Sequence, residues 1–318
     1  MDSKAISSVK NFFVELLKEM PKKAKEIGGV FKEAFHKWNA KDPFRESSVI
    51  AYYSIFSLPG LMVVVFTVTS YFFSKDAVNG ALHQEIAQAM GKETADQVGE
   101  IMSKASTNDK SIWATIIGII TILVGATGVF VQLQKSLNYI WEVKAETEKS
   151  GVWLFLKSRL FSFGLILTIA FLLLISLVVT SVITALSSWI EAHWPAFIMV
   201  LFQAFNFLFS IGIITLLFAM MFRILPDAKI QWRSVWIGAL LTSILFGLGK
   251  SAIGFYFGKS DPASGYGAAG SIVLILLWVS YSSMIVFFGA EFTKAYGEKF
   301  HGKPPPSEIA VKSTAKPV

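Results

Sequence analysis

Six separate stretches of this chain are each long and apolar enough to cross a bilayer: Ser48 to Phe73, Ser111 to Leu133, Leu160 to Leu186, Ala196 to Phe222, Val235 to Phe257 and Ser271 to Glu291. A spanning helix needs about 20 mostly apolar residues at a rise of ~1.5 Å per residue. Inside hydrocarbon no water satisfies the backbone, so apolar segments of this length must be helical. The chain is therefore predicted to be an all-α, polytopic membrane protein with six transmembrane helices. Hydrophobic residues make up 53% of it and charged residues only 16%, with a mean hydropathy of +0.56, well away from a soluble domain.

Its net charge of +7 could suggest nucleic acid, but the distribution of the charge argues for topology instead. Of the Lys and Arg outside the spans, twenty-three precede the first span, lie between spans two and three or four and five, or follow the sixth; the other three loops hold five. By the positive-inside rule both termini are expected in the cytoplasm, and no nucleic-acid partner is expected. The surplus base also suits anionic lipid headgroups. The chain has no cysteine, which excludes disulfide and thiolate chemistry. Forty-seven mostly polar residues precede the first span without a signal-peptide pattern, so that span is read as an uncleaved anchor.

Residues 1–47 are expected to form cytoplasmic amphipathic helices. Ile27, Val30, Phe31, Ala34, Phe35 and Trp38 recur at helical spacing, with Lys32, Glu33, His36 and Lys37 on the other face. Such helices either lie in the membrane interface or pack on the cytoplasmic ends of the spans. The membrane domain is assigned to 48–293, with an outer loop at 75–110 whose apolar periodicity predicts a short helical cap. Spans three and four must form a hairpin, since only Ser187 to Pro195 joins them. The remainder, 294–318, is expected to be mostly disordered, most clearly from Lys303 onward, where Pro304, Pro305 and Pro306 break any periodic face.

Lys250 is the one basic residue clearly inside a span, and an ionisable group there costs about 2.5–3.5 kcal/mol on insertion scales. It should face protein or water, or else snorkel along its own stem. Gln203 on the descending fourth span falls near its level, with Asn206 about a turn away. On the outer side, the Tyr266-Gly267-Ala268-Ala269-Gly270-Ser271 run opens the sixth helix. A helix N-terminus there, with Lys259 nearby, suits a carboxylate or phosphate; a tight turn permitting close helix packing is the alternative. Pro59 and Gly60 in the first span and Gly247 and Gly249 in the fifth are candidate hinges. Gly254 and Gly258 allow close helix contact, and so a homo-oligomer. His36, His83, His193 and His301 are too scattered for a metal site, and no phosphate-binding loop occurs. Glu291 and Asp227 read as lone structural carboxylates. Neither catalysis, a metal nor a cofactor is expected.

Several segments together resemble the YihY/BrkB family of bacterial inner-membrane proteins, formerly called the ribonuclease BN family. They are Ala51-Tyr52-Tyr53 through Ser57-Leu58-Pro59; Gly125 to Val143 with Gln132, Gln134, Asn138 and Trp141; and Arg223 to Phe292 with Pro226, Trp232, Gly238-Ala239, Lys250, Tyr256, Trp278, Tyr281 and Gly289-Ala290-Glu291-Phe292. The resemblance implies six spans in the bacterial cytoplasmic membrane and a role at the cell envelope, with lipid export and virulence associated with some members. It implies no settled activity. The function expected is a transporter or flippase-like protein for an amphipathic anion such as a lipid or lipid precursor, with Lys250 and the start of the sixth helix as the anionic-group site. The alternative is a non-transporting scaffold that binds membrane lipid or an envelope partner.

Overall fold

A computed structural model describes residues 25–70, 80, 83, 84, 87, 95, 96, 99, 128–145, 196–260, 266, 270–307 and 310–313. The third span expected from the sequence and most of the second lie outside these residues. Helix α1 occupies 25–40, α2 Pro43–Ser70, α3 128–140, α4 Ala196–Ile224, α5 Trp232–Ser260 and α6 Gly270–His301. Strand β1, Val143–Ala145, pairs antiparallel with β2, Ala310–Lys312. Among the described residues three stretches are long and apolar enough to span a membrane: Ala204–Ile224, Trp232–Phe257 and Ile272–His301. In the loop between spans one and two, the described positions 80, 83, 84, 87, 95, 96 and 99 are helical, and His83 meets Asp96 at 2.8 Å.

The first turn is written locally. Asp42 adopts the left-handed conformation that short polar side chains tolerate, with φ 48°, and Pro43 starts α2 with its fixed φ where no amide donor is needed. The helix then continues through Pro59 and Gly60 without ending. At the far end of the chain, α6 runs ten residues past Glu291, where the apolar stretch stops. Those last turns are amphipathic, and they bury Phe292 and Ala295 while Gly302, at φ 85°, closes the helix. A helix is terminated by its cap, so hydropathy places the membrane boundary and not the helix end.

Helices α5 and α6 pack as an antiparallel pair through two reciprocal contacts between glycine and threonine. A Cβ on Gly238 would stand 2.8 Å from Thr293 Cβ, and one on Gly289 would stand 2.9 Å from Thr242 Cβ. Both threonine hydroxyls donate within their own helices, Thr242 to Gly238 O and Thr293 to Gly289 O at 2.7 Å each. Neither threonine hydroxyl is therefore left unsatisfied while the backbones approach closely, the arrangement small residues permit in membrane helices. Gly249 extends it beneath Tyr281 and Ile285, whereas Gly247 faces open space. Gly249, a candidate hinge from the sequence, is thus also a packing glycine. Between α4 and α5 the hydroxyls of Thr215 and Ser243 meet at 2.8 Å.

Helix α1 docks along the C-terminal half of α6. Val30 and Ala34 are fully buried there, Phe31 packs edge-on to Phe288, and Trp38 Nε1 donates to Met284 O at 3.1 Å. Burying a valine contributes about 1.5–3 kcal/mol. Of the two placements open from the sequence, this face packs on a helix end; Ile27, Phe31 and Phe35 remain partly exposed beside it.

The described part of the tail, 303–307 and 310–313, is paired where the sequence predicted mostly disorder. Lys229 N donates to Pro305 O and Ser307 N to Asp227 O, both at 2.9 Å, Ala228 bridges Pro306, and Ser313 N donates to Glu142 O at 2.8 Å. Prolines cannot continue a helix but still offer carbonyls, and an extended strand needs only a partner edge. Long-range pairing with β1 and the α4–α5 turn supplies it, a signal that local periodicity does not carry. Among the described residues the chain is accordingly helical with one small ribbon.

Candidate functional site

The charged residues gather at the end of the bundle that holds the C-terminus of α6, called here the base. Glu291, on α6, is fully buried, and the Lys41 ammonium from the α1–α2 turn lies 2.6 Å from its Oε1. That contact is an ion pair without hydrogen-bond alignment: among the described residues neither Glu291 oxygen receives an aligned donor. Lys41 donates instead to Ile140 O at 3.1 Å and sits 5.3 Å from the centre of the Tyr139 ring. Burial holds the Lys41 ammonium below the usual lysine range, although Glu291 pulls the other way.

A small cavity borders this pair, lined by Trp38, Lys41, Glu46, Ser136, Tyr139 and Glu291 among others. Its volume of about 10 Å³ leaves room for one water at most. Glu46 enters from the first turn of α2 and is held from α3, where Ser136 Oγ donates to its Oε2 at 2.7 Å and Gln132 at 3.4 Å. Burial also pushes the Tyr139 hydroxyl above its ordinary range.

Further ion pairs surround the cavity. Lys294, buried on α6, meets Glu142 at 2.6 Å, and that hydrogen bond holds the Glu142 carboxyl below its usual range. Lys37 bridges Glu33 and Glu298; desolvation opposes its charge, but the two carboxylates raise it above the ordinary lysine value. Asp227, after α4, accepts from Asn138 at 2.7 Å and from Gln134 at 3.4 Å, while its own amide donates to Asn138 Oδ1. Burial raises the Asp227 carboxyl above its usual range despite these bonds. Arg223 caps the α4–α5 turn by donating to Ile230 O. The base thus ties α1, α2, α3, the α4–α5 turn and α6 together with charge and amide groups.

The residues singled out from the sequence lie elsewhere. Lys250 is half-buried on α5. Taking the Thr215 and Ser243 contact as the register of α4 against α5, ~1.5 Å per residue puts Asn206 within ~3 Å of the level of Lys250 and Gln203 ~7.5 Å beyond it. Asn206 is therefore the nearer in height, reversing the order expected, and its Oδ1 is buried without a hydrogen bond among the described residues. Lys259 is exposed with its ammonium 4.7 Å from the centre of the Phe255 ring, Tyr266 is exposed, and Gly270 is buried at the start of α6. Gly267 and the side chains of Gln203 and Ser271 lie outside the described residues. No group of three His, Asp or Glu able to hold a metal occurs among the described residues.

Sequence reasoning treated Glu291 as a lone carboxylate and passed over Lys41, Glu46, Ser136, Tyr139, Glu142 and Lys294. The available signal was the acidic and amide residues at the inner ends of three predicted helices, Glu46, Gln134 with Asn138, and Glu291, beside a turn marked by Asp42-Pro43.

The chain is similar to membrane proteins of several bacteria. A UPF0761 membrane protein of Alteromonas mediterranea is 29% identical over 260 residues, covering 80% of this chain and 83% of the relative. One of Pseudoalteromonas atlantica is 27% identical over 257 residues, 79% of this chain and 80% of the relative. One of Haemophilus influenzae is 25% identical over 258 residues, 79% and 89%. No solved structure matches. The profile of the family described as Virulence factor BrkB matches residues 34–312, from the docked α1 to the end of β2. With several apolar helices of spanning length and a profile that takes in most of the base, this chain is an integral, multi-pass membrane protein that belongs to the BrkB family.

Proposed function

We infer that the protein spans the bacterial cytoplasmic membrane six times, with both termini in the cytoplasm, and moves an amphipathic anion such as a lipid or lipid precursor without covalent chemistry. The observation that carries this reading is Lys250, a half-buried lysine seven residues beyond the Ser243 contact on a helix otherwise apolar enough to span. Ionisable residues in such positions are costly and mark substrate or ion pathways by default. Asn206, near its level on α4, adds a polar group to the same stretch of membrane. Lys250 supplies the charge that an anionic group would meet.

Lys250→Met should leave expression and melting behaviour close to wild type but abolish rescue of a deletion strain, while Lys250→Arg keeps part of it. Full rescue by Lys250→Met would remove the anion site. A scaffold would then be the better reading, since the base, with its ion pairs and ribbon, has the build of a docking platform. Topology is tested independently. Accessibility labelling should place Lys144 and both termini in the cytoplasm and Lys92 outside, as the distribution of basic residues predicts. Labelling of Lys144 from the outside would overturn the six-span arrangement.

A further inference from the structure

We propose that Glu291 is a proton-binding site, and that its protonation breaks its ion pair with Lys41 in the α1–α2 turn. The argument begins with geometry. Glu291 is 0% exposed and lines the one-water cavity at the base, and neither of its oxygens receives an aligned hydrogen bond among the described residues. A buried carboxylate ordinarily accepts two or more such bonds, because an unsatisfied acceptor loses the solvation it had in water. The ammonium nearest this carboxylate, 2.6 Å from one oxygen, is itself shared with Ile140 O and the face of Tyr139, and Lys294 and Lys37 add weaker electrostatic support.

Two states of the site are electrostatically reasonable. In one, the carboxylate is ionised and paired with Lys41. In the other, a proton from solvent adds to a carboxylate oxygen, the acid is neutral, and Lys41 stays an ammonium held by Ile140 O and Tyr139. The second state has one more positive charge. Burial opposes the charge on Glu291 and Lys41 favours it, so the two states are set against each other by terms of similar kind.

The charged and titratable groups around the site have other engagements. Lys37 bridges Glu33 and Glu298, Lys294 is 2.6 Å from Glu142, Glu46 accepts from Ser136 and contacts Arg45 at 3.6 Å, and Tyr139 faces Lys41. Lys41 is thus the cation that a proton on Glu291 displaces. Because Lys41 belongs to the turn joining α1 to α2, losing the pair removes one tie between that turn and α6 while the apolar packing of α1 stays in place. For a transporter this is a route by which a proton biases helix position; that role rests on the transport reading, whereas proton binding does not.

The test uses full-length protein in lipid nanodiscs, with carbon-13 in its glutamates and no added substrate. Infrared difference spectra between roughly pH 5 and pH 9 report protonated carboxylic acids directly. A carboxylic-acid band shifted by the label should appear in wild type and in Glu142→Gln and disappear in Glu291→Gln. Lys41→Met should move its midpoint to higher pH, by at least a tenfold gain in proton affinity. A wild-type spectrum without the band overturns the proposal even if every variant misfolds, and so does a band that survives Glu291→Gln. That failure would leave Lys250 untouched, just as full function of Lys250→Met would remove the transport reading and leave the band in place.

Discussion

Gly238→Leu should prevent the protein from accumulating as a monodisperse species, and Gly238→Ala alone should lower its melting temperature by several degrees. A Cβ at this position meets Thr293 Cβ at 2.8 Å and Thr293 Cα at 3.1 Å, so the obstacle includes the backbone of the facing helix and cannot rotate away. Overpacking of this kind costs roughly 1–3 kcal/mol for one methyl, and more where neither wall can shift. Adding Thr293→Gly to Gly238→Ala should recover most of the loss, apart from about 1 kcal/mol for a glycine inside a helix. A coupling of that sign, read from thermal melts of the two single variants and the double, identifies the contact itself. Equal losses without coupling would mean that the seam is looser than 2.8 Å. Gly289 and Thr242 form the same contact with the helices exchanged, and Gly289→Ala should behave alike.

The second large effect is at the base. Lys41→Met removes the cation beside a fully buried carboxylate, and breaking one side of a buried pair costs about 3–5 kcal/mol. Lys41→Met with Glu291→Gln should be clearly more stable than Lys41→Met alone, because no uncompensated charge is left. The loss in Lys41→Met should also shrink as the pH is lowered, since the stranded carboxylate can then take up a proton. Melting curves for the four proteins at two pH values test both statements. A double variant as unstable as the sum of its parts would show that Lys41 and Glu291 do not interact.

Much of the architecture was legible because the bilayer is a severe solvent. Uninterrupted apolar runs gave helices that begin within three residues of the expected spans for α4, α5 and α6. The apolar face of α1 was legible too, since Val30 and Ala34 sit at the spacing a helix needs to bury one stripe. What escaped was pairing at long sequence distance. Lys41 and Glu291 lie far apart in the chain, each looks unremarkable alone, and no periodicity links an ammonium in a turn to a carboxylate at the end of the last helix. The ribbon escaped for the same reason: Ala310–Lys312 is too short to announce a strand, and its edge is supplied by Val143–Ala145. The seam was half visible. The sequence showed small residues in the fifth helix, but which of them pack is decided by the facing threonines.

The pairing of β1 with β2 also imposes an order on biogenesis. Val143 is made before the fourth, fifth and sixth helices, yet its partner is Lys312, and Asp227 likewise awaits Ser307. Every membrane helix must therefore have left the ribosome before the base can close. Until then the edge of Val143–Ala145 and the turn after α4 stand open, so the nascent protein passes through an inserted but unlatched state, the stage at which a quality-control protease or chaperone can tell a finished molecule from a truncated one.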